Sequence, residues 1–322
     1  MSTCMNRLLL FAVLTFFLSA TTGCSWFEAK EGHARDNQYQ RMLENQKKQQ
    51  AARSQDEDLV KKLPDLDAAG RERLGDQYMM QGNQGMAFLQ YDKSIRMDPK
   101  RVSVHYKQGH LLLKRGLSDE AMAEFKKMKE LDPSSALAFE GMGRVYLARG
   151  QTEKAKKEFE EAAEKDPNLW QASGYLGIIL DREKKYDEAI VQYRKAIAVH
   201  PRSAALFNNL GMSYFYKAEY ARAAESFITA LKIDPSNRTA QNNLGLALFK
   251  LGKYEDALEA FKKGAGEASA QNNMGCLYMS EKNYEKAIRA FETAIDLNPA
   301  YYDKANENLK RAKAAKENYA GH

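Results

Sequence analysis

Three asparagines, Asn209, Asn243 and Asn273, each stand directly before a Leu-Gly or Met-Gly pair, and each follows another asparagine, Asn208, Asn242 or Asn272. A carboxamide offers both donor and acceptor, so amides set side by side can pair with a peptide backbone whatever its side chains are. Three and six residues further on come Met212 and Phe215, Leu246 and Phe249, Cys276 and Met279. These form an apolar, partly methionine-lined strip suited to hydrophobic side chains. The simpler alternative is that asparagine is common at this position and the apolar residues pack inside the protein, with Cys276 half-buried and without a role.

Other chemistry finds little support. His105 and His110 are five apart, which puts them on different sides of a helix and makes them poor metal partners, while His33, His200 and His322 are isolated. Gly141 and Gly143 make a Gly-x-Gly within a helical pattern and lack the preceding strand of a phosphate loop. Cys4, Cys24 and Cys276 are too few for a disulfide framework and have no metal-type spacing. Net charge is +6, spread over mixed-sign segments, so no basic block of the kind nucleic acid requires is present. The sequence therefore predicts no enzyme, no cofactor, no metal, no nucleic acid and no small-molecule substrate.

The asparagines are positioned by a period. Gly75, Gly109, Gly143, Gly177, Gly211 and Gly245 follow one another at intervals of 34 residues. So do Ala87, Ala121, Ala155, Ala189, Ala223 and Ala257, and the aromatics Tyr91, Phe125, Phe159, Tyr193, Phe227 and Phe261. Pro99, Pro133, Pro167, Pro201 and Pro235 keep the same step, and Gly275, Ala287, Phe291 and Pro299 close the series. A 34-residue unit with L-G-x-x-Y, then Ala, an aromatic and Pro resembles the tetratricopeptide repeat (TPR). The resemblance implies an all-α, right-handed TPR solenoid of seven helix-turn-helix repeats plus a C-terminal capping helix. The seven are 68–101, 102–135, 136–169, 170–203, 204–237, 238–267 and 268–300, together 68–300, and 301–322 forms the cap and tail. In that family the column of Asn209, Asn243 and Asn273 faces a concave groove that holds a peptide.

Several local features depart from the common unit. The turn between helices has Gly82, Gly116, Gly150 and Gly252 where a left-handed C-cap fits, but Lys184, Ala218 and Lys282 elsewhere. Gln108 stands where Leu is expected. Gly245 and Gly275 are 30 apart, about one helical turn short. The second helix of the 238–267 unit should therefore stop near Gly264. The acids Glu72, Asp76 and Glu140, with Gly174, occupy columns where a chaperone-type carboxylate clamp would need Lys and Arg, so that specificity is not expected.

Ahead of the repeats, Met5 to Cys24 read MNRLLLFAVLTFFLSATTGC, an apolar run from Leu8 to Leu18 of signal-peptide length followed by small residues. The ending Thr21-Thr22-Gly23-Cys24 resembles a bacterial lipobox, departing from it at Thr21. That resemblance implies removal of 1–23 as a lipoprotein signal peptide and lipidation of Cys24. Ser25 in place of Asp points to an outer-membrane lipoprotein facing the periplasm. Residues 24–67 then form a lipid-anchored, flexible, charged tether, with Trp26 and Phe27 next to the membrane. Lipoprotein signal and repeats together resemble the assembly lipoproteins of type IV and tight-adherence (Flp) pili. The implied role is a non-enzymatic scaffold that binds protein segments of a secretin or pilus machine. The alternative is an adaptor recruiting peptidoglycan hydrolases or polysaccharide-export proteins.

Overall fold

A computed structural model describes residues 66–298 and 302–320. Among these residues all regular structure is helical, in fifteen helices. The chain divides into two compact units, with the boundary between Glu124 and Phe125. The first unit holds α1 (Ala68–Met80), α2 (Gln84–Met97) and α3 (Val102–Lys114). The boundary lies within α4 (Ser118–Leu131). The second unit contains α5 (Ala136–Ala148), α6 (Thr152–Lys165), α7 (Trp170–Arg182), α8 (Tyr186–Val199), α9 (Ala204–Tyr216) and α10 (Tyr220–Ile233). It continues with α11 (Arg238–Lys250), α12 (Tyr254–Ala265), α13 (Glu267–Ser280), α14 (Tyr284–Leu297) and α15 (Tyr302–Ala320).

Within the second unit the helices pair as hairpins, and each hairpin packs on the next in chain order. The turn inside a hairpin is a Schellman motif. The amide of the third residue past α5, Gln151, donates to the Tyr146 carbonyl at 2.9 Å, and the same six-to-one bond is made by Lys185 to Leu180, Glu219 to Tyr214, Lys253 to Leu248 and Asn283 to Tyr278. This motif needs a left-handed residue. Gly150 and Gly252 supply it at φ 72° and 75°, and Lys184, Ala218 and Lys282 adopt it at 60–61° despite carrying a Cβ. The hairpin connection therefore imposes its geometry whatever residue is present.

Joints between hairpins are made by Asp-Pro. The Asp234 carboxylate accepts from the Ser236 amide at 3.1 Å and that of Asp166 from the Asn168 amide at 2.9 Å, small Asx turns that re-aim the chain after Pro has barred further helix. His200 fills the Asp position in one unit and stacks instead on Trp170, with ring centroids 4.6 Å apart.

Small residues set how closely the two helices of a hairpin approach. Ala155, Ala189, Ala223, Ala257 and Ala287 are all fully buried. An added Cβ on Gly177 would lie 2.6 Å from the Tyr193 ring, on Gly211 2.6 Å from Phe227, and on Gly275 2.5 Å from Phe291. Each glycine thus provides the space that the aromatic of its partner helix fills. α15 packs on α14 and closes the stack with Ala305, Leu309 and Ala312, all buried.

The shortened step is visible in the joints. α12 ends at Ala265, two residues shorter than α10, and one residue, Gly266 at φ 83°, ψ 166°, connects it to α13. Other joints in this unit use four residues, as at 234–237 between α10 and α11.

In the first unit α1 packs on α2, and Ala87, Tyr91, Val104 and Leu111 form the core. Gln108 is buried with its Oε1 unpartnered, the cost of placing an amide where the repeat favours Leu.

Candidate functional site

The paired asparagines lie on α9, α11 and α13, the first helices of the last three hairpins, but they do not form a uniform row. Asn208 is 6 % exposed, Asn243 2 % and Asn272 1 %, whereas Asn209, Asn242 and Asn273 are half-buried. The buried members link helices. Asn243 Nδ2 donates to Asn208 Oδ1 at 2.8 Å, joining α11 to α9, and Asn308 Nδ2 donates to Asn272 Oδ1 at 2.9 Å, joining α15 to α13. At the shortened step no such bond forms between the asparagines of α11 and α13. Asn242 Oδ1 is instead buried without a partner, where a Cβ on Gly264 would come within 2.5 Å of it.

The apolar strip is also divided. Met212 sits in the cluster with Leu206, Leu210 and Tyr214, and Leu246 and Phe249 sit in the next cluster with Phe261, Met274 and Leu277. These three are buried, so the packing alternative describes them. Cys276 is likewise buried, at 3 %, and accepts from Asn308 Nδ2 at 3.7 Å. Phe215 and Met279 remain half-buried at the margin.

Tyrosines that the sequence reading passed over stand beside that margin. Phe215 packs on Tyr220 at 5.3 Å, Phe249 on Tyr254 and Tyr278 at 5.0 and 5.1 Å, and the Lys286 ammonium lies over both of those tyrosines at 5.2 and 5.5 Å. A signal for them was present: Tyr186, Tyr220, Tyr254 and Tyr284 each open the second helix of a hairpin. Burial, and then the neighbouring Tyr254 and Glu281, push the Tyr278 phenol above its ordinary pKa, so it remains a neutral hydroxyl.

Acids in the other candidate columns are held within their own unit. Glu72 accepts from Arg101 at 2.6 Å and Lys107 at 2.8 Å, and Asp76 accepts from Lys107 at 2.7 Å and from the Tyr91 hydroxyl at 2.8 Å. His105 and His110 diverge. His105 bonds to the Glu124 carboxylate and the Pro99 carbonyl, while His110 packs edge-on against Tyr106. Among the described residues no group of three or more His, Cys, Asp or Glu could hold a metal, and no helix is long and apolar enough to cross a membrane. Cys24, Trp26, Phe27 and the signal sequence lie outside the described residues.

A repeated helical hairpin with Gly-aromatic interlocks and Asx-Pro joints defines an all-α helical-repeat protein, a class that works as a scaffold for protein–protein interaction. Tetratricopeptide repeat profiles match residues 102–135, 141–206, 208–273 and 268–301, more than half of the chain, and the chain belongs to the tetratricopeptide repeat family. Solved structures share the fold. The structure from the functional characterisation of Pseudomonas aeruginosa pilF aligns over 66 % of this chain and 96 % of its own, with TM-score 0.53 and 22 % identity. The C-terminal part of a TPR repeat-containing protein from Cytophaga hutchinsonii covers 74 % and 98 %, with TM-score 0.53 and 19 % identity. The Cut9 complex with Hcn1 covers 79 % of this chain and 50 % of the matched one, with TM-score 0.57 and 21 % identity. No curated protein sequence matches the chain.

Proposed function

We propose that this protein is a non-enzymatic scaffold of the bacterial envelope, tethered to the outer membrane through lipid on Cys24. It faces the periplasm and binds partner segments along α9, α11 and α13 to assemble a pilus or secretin machine. The observation that supports the binding role is the set of half-buried residues Asn209 and Phe215 on α9 and Asn273 and Met279 on α13, an amide and an apolar side chain on the first helix of each of two hairpins that flank the α11 hairpin. Amides can engage a backbone there and the apolar groups its side chains. The tether reading rests on the apolar run Leu8–Leu18 and the Thr-Thr-Gly-Cys ending.

The test is crosslinking in cells from a photoreactive residue placed at Asn209 or Asn273, with identification of what is captured. Secretin or pilus components are the expected catch. Recovery of peptidoglycan hydrolases or polysaccharide-export proteins without them would replace this reading with the adaptor. In parallel, Cys24→Ser should release the chain from membranes.

A further inference from the structure

Asp181, on the last turn of α7, stands in a column whose other members at the same repeat position are Met79, Leu113, Leu147, Phe215, Phe249 and Met279, all apolar. Its carboxylate is held from beneath by hydroxyls. Oδ1 accepts from Ser213 Oγ at 2.8 Å, and Oδ2 accepts from Tyr193 at 2.9 Å and from Ser213 at 3.0 Å. Ser213 is fully buried and Tyr193 is 1 % exposed, so α8 and α9 supply a fixed floor. Asp181 itself is half-buried.

Around it stand Tyr186, which opens α8, and Tyr216, which closes α9, stacked with centroids 5.3 Å apart and planes 19° from parallel. Both are half-buried. Tyr216 lies one helical turn beyond Ser213, whose hydroxyl bonds to Asp181, and Tyr186 stacks on it, so the pair stands on the same side as the carboxylate. Burial first, and then the Asp181 charge, raise both phenols above their ordinary pKa.

No basic side chain pairs with Asp181 among the described residues. Its hydrogen-bond partners are the neutral donors Ser213 and Tyr193, and the nearby cations either pair with other acids or, like Lys184, are exposed and form no ion pair with it. Lys185 pairs with Glu183 at 2.8 Å, Lys217 pairs with Asp187 and Glu219, and Arg182 is exposed. A carboxylate withdrawn from water without a counter-ion is costly, and a cation restores the balance. A guanidinium suits this place better than an ammonium, because it can bond to a carboxylate while its plane stacks on tyrosine rings.

We infer that Asp181, with Tyr186 and Tyr216, forms a receptor for an arginine side chain carried by a protein partner. This rests on the scaffold reading for its biological use. Its chemistry is tested without any partner, so failure here leaves the scaffold reading standing, and failure of the crosslinking leaves this one.

The experiment places 3-fluorotyrosine at position 216 of the full chain and follows its fluorine resonance while acetyl-Ala-Arg-Ala-amide is added. The same peptide with citrulline, the uncharged isostere of arginine, is the control. A saturable shift is expected for arginine, weakened at least about tenfold by citrulline and by Asp181→Asn, since each removes one charge of the pair. Asp187→Asn removes an exposed carboxylate nearby and should leave affinity unchanged. Tyr186→Leu, which keeps the carboxylate and removes one ring, should weaken it, and circular dichroism establishes that each variant is folded. The inference is overturned by equal binding of the citrulline peptide, by unchanged affinity in folded Asp181→Asn, by equal loss in Asp187→Asn, or by no saturable shift with arginine.

Discussion

Removing the Asp181 charge should change how stability depends on pH, in a direction set by the three helices around it. Burial between α7, α8 and α9 raises the Asp181 carboxyl from its ordinary 3.8 to about 6, against the opposing effect of the Ser213 and Tyr193 hydrogen bonds. Between those two values the folded chain keeps a proton that the unfolded chain has lost. Stability therefore falls as pH rises from about 4 to about 6 and is level above that. The difference corresponds to about 3 kcal/mol as a ceiling. Asp181→Asn keeps one carbonyl acceptor for Ser213 and presents an amide to Tyr193, whose hydroxyl can rotate to accept it. With roughly 1 kcal/mol set aside for an imperfect bond, the variant should be more stable than the parent by about 1–2 kcal/mol at pH 8 and no more stable at pH 4. Urea denaturation followed by circular dichroism at the two pH values reads this as a change in the difference between parent and variant. Taking that difference removes the other titrating groups, including Glu72 and Glu219, whose pKa values are lowered and whose contributions run the opposite way. A parent-to-variant difference that stays constant across this pH range would refute the reasoning.

Other expectations follow from the repeat geometry. Ala218→Gly, Lys184→Gly and Lys282→Gly relieve a left-handed conformation that costs an L-residue roughly 1–2 kcal/mol, offset by the greater freedom of glycine when unfolded. Each should stabilise by about 0.5–1 kcal/mol in thermal or urea unfolding, and the three should add, being in separate hairpins. Gly211→Ala brings a Cβ to 2.6 Å from Phe227, whose ring is fully buried and cannot retreat, and should cost about 1–3 kcal/mol by the same measurement. Gln108→Leu removes a buried, unpartnered Oε1 and should raise the stability of the first unit by about 1 kcal/mol, read from amide exchange in α3.

The period carried most of the fold. Gly177 and Tyr193, or Gly211 and Phe227, recur because each pair solves the same packing problem, and repetition makes such solutions readable without coordinates. The early end of α12, which stops one residue past the expected Gly264, followed from the same alignment, whereas Lys184, Ala218 and Lys282 stood out there only as departures from glycine, and their left-handed backbone is a finding of the structure. The binding surface was less legible. A period identifies which residues share a column, but it does not show how far each helix is rotated or how large its neighbours are. Asn209 and Asn243 share a column, yet one is half-buried and the other bonds to Asn208 in the interior. Asp181 illustrates the converse. Searching for what repeats passes over a residue that breaks its column, although the break itself was plain in the sequence.

The single-residue joint at Gly266 limits how this protein can be re-engineered. Upstream of it, hairpins meet through four-residue linkers that carry Pro second and, save for His200, Asp first, so an extra 34-residue cassette inserted after α10 should be accommodated like any other hairpin. After α12 there is no such seam. The backbone at Gly266, with φ 83° and ψ 166°, lies where only glycine is comfortable, and the chain passes from one helix to the next without slack. A duplicated or transplanted hairpin placed there would have to bring its own linker to α13.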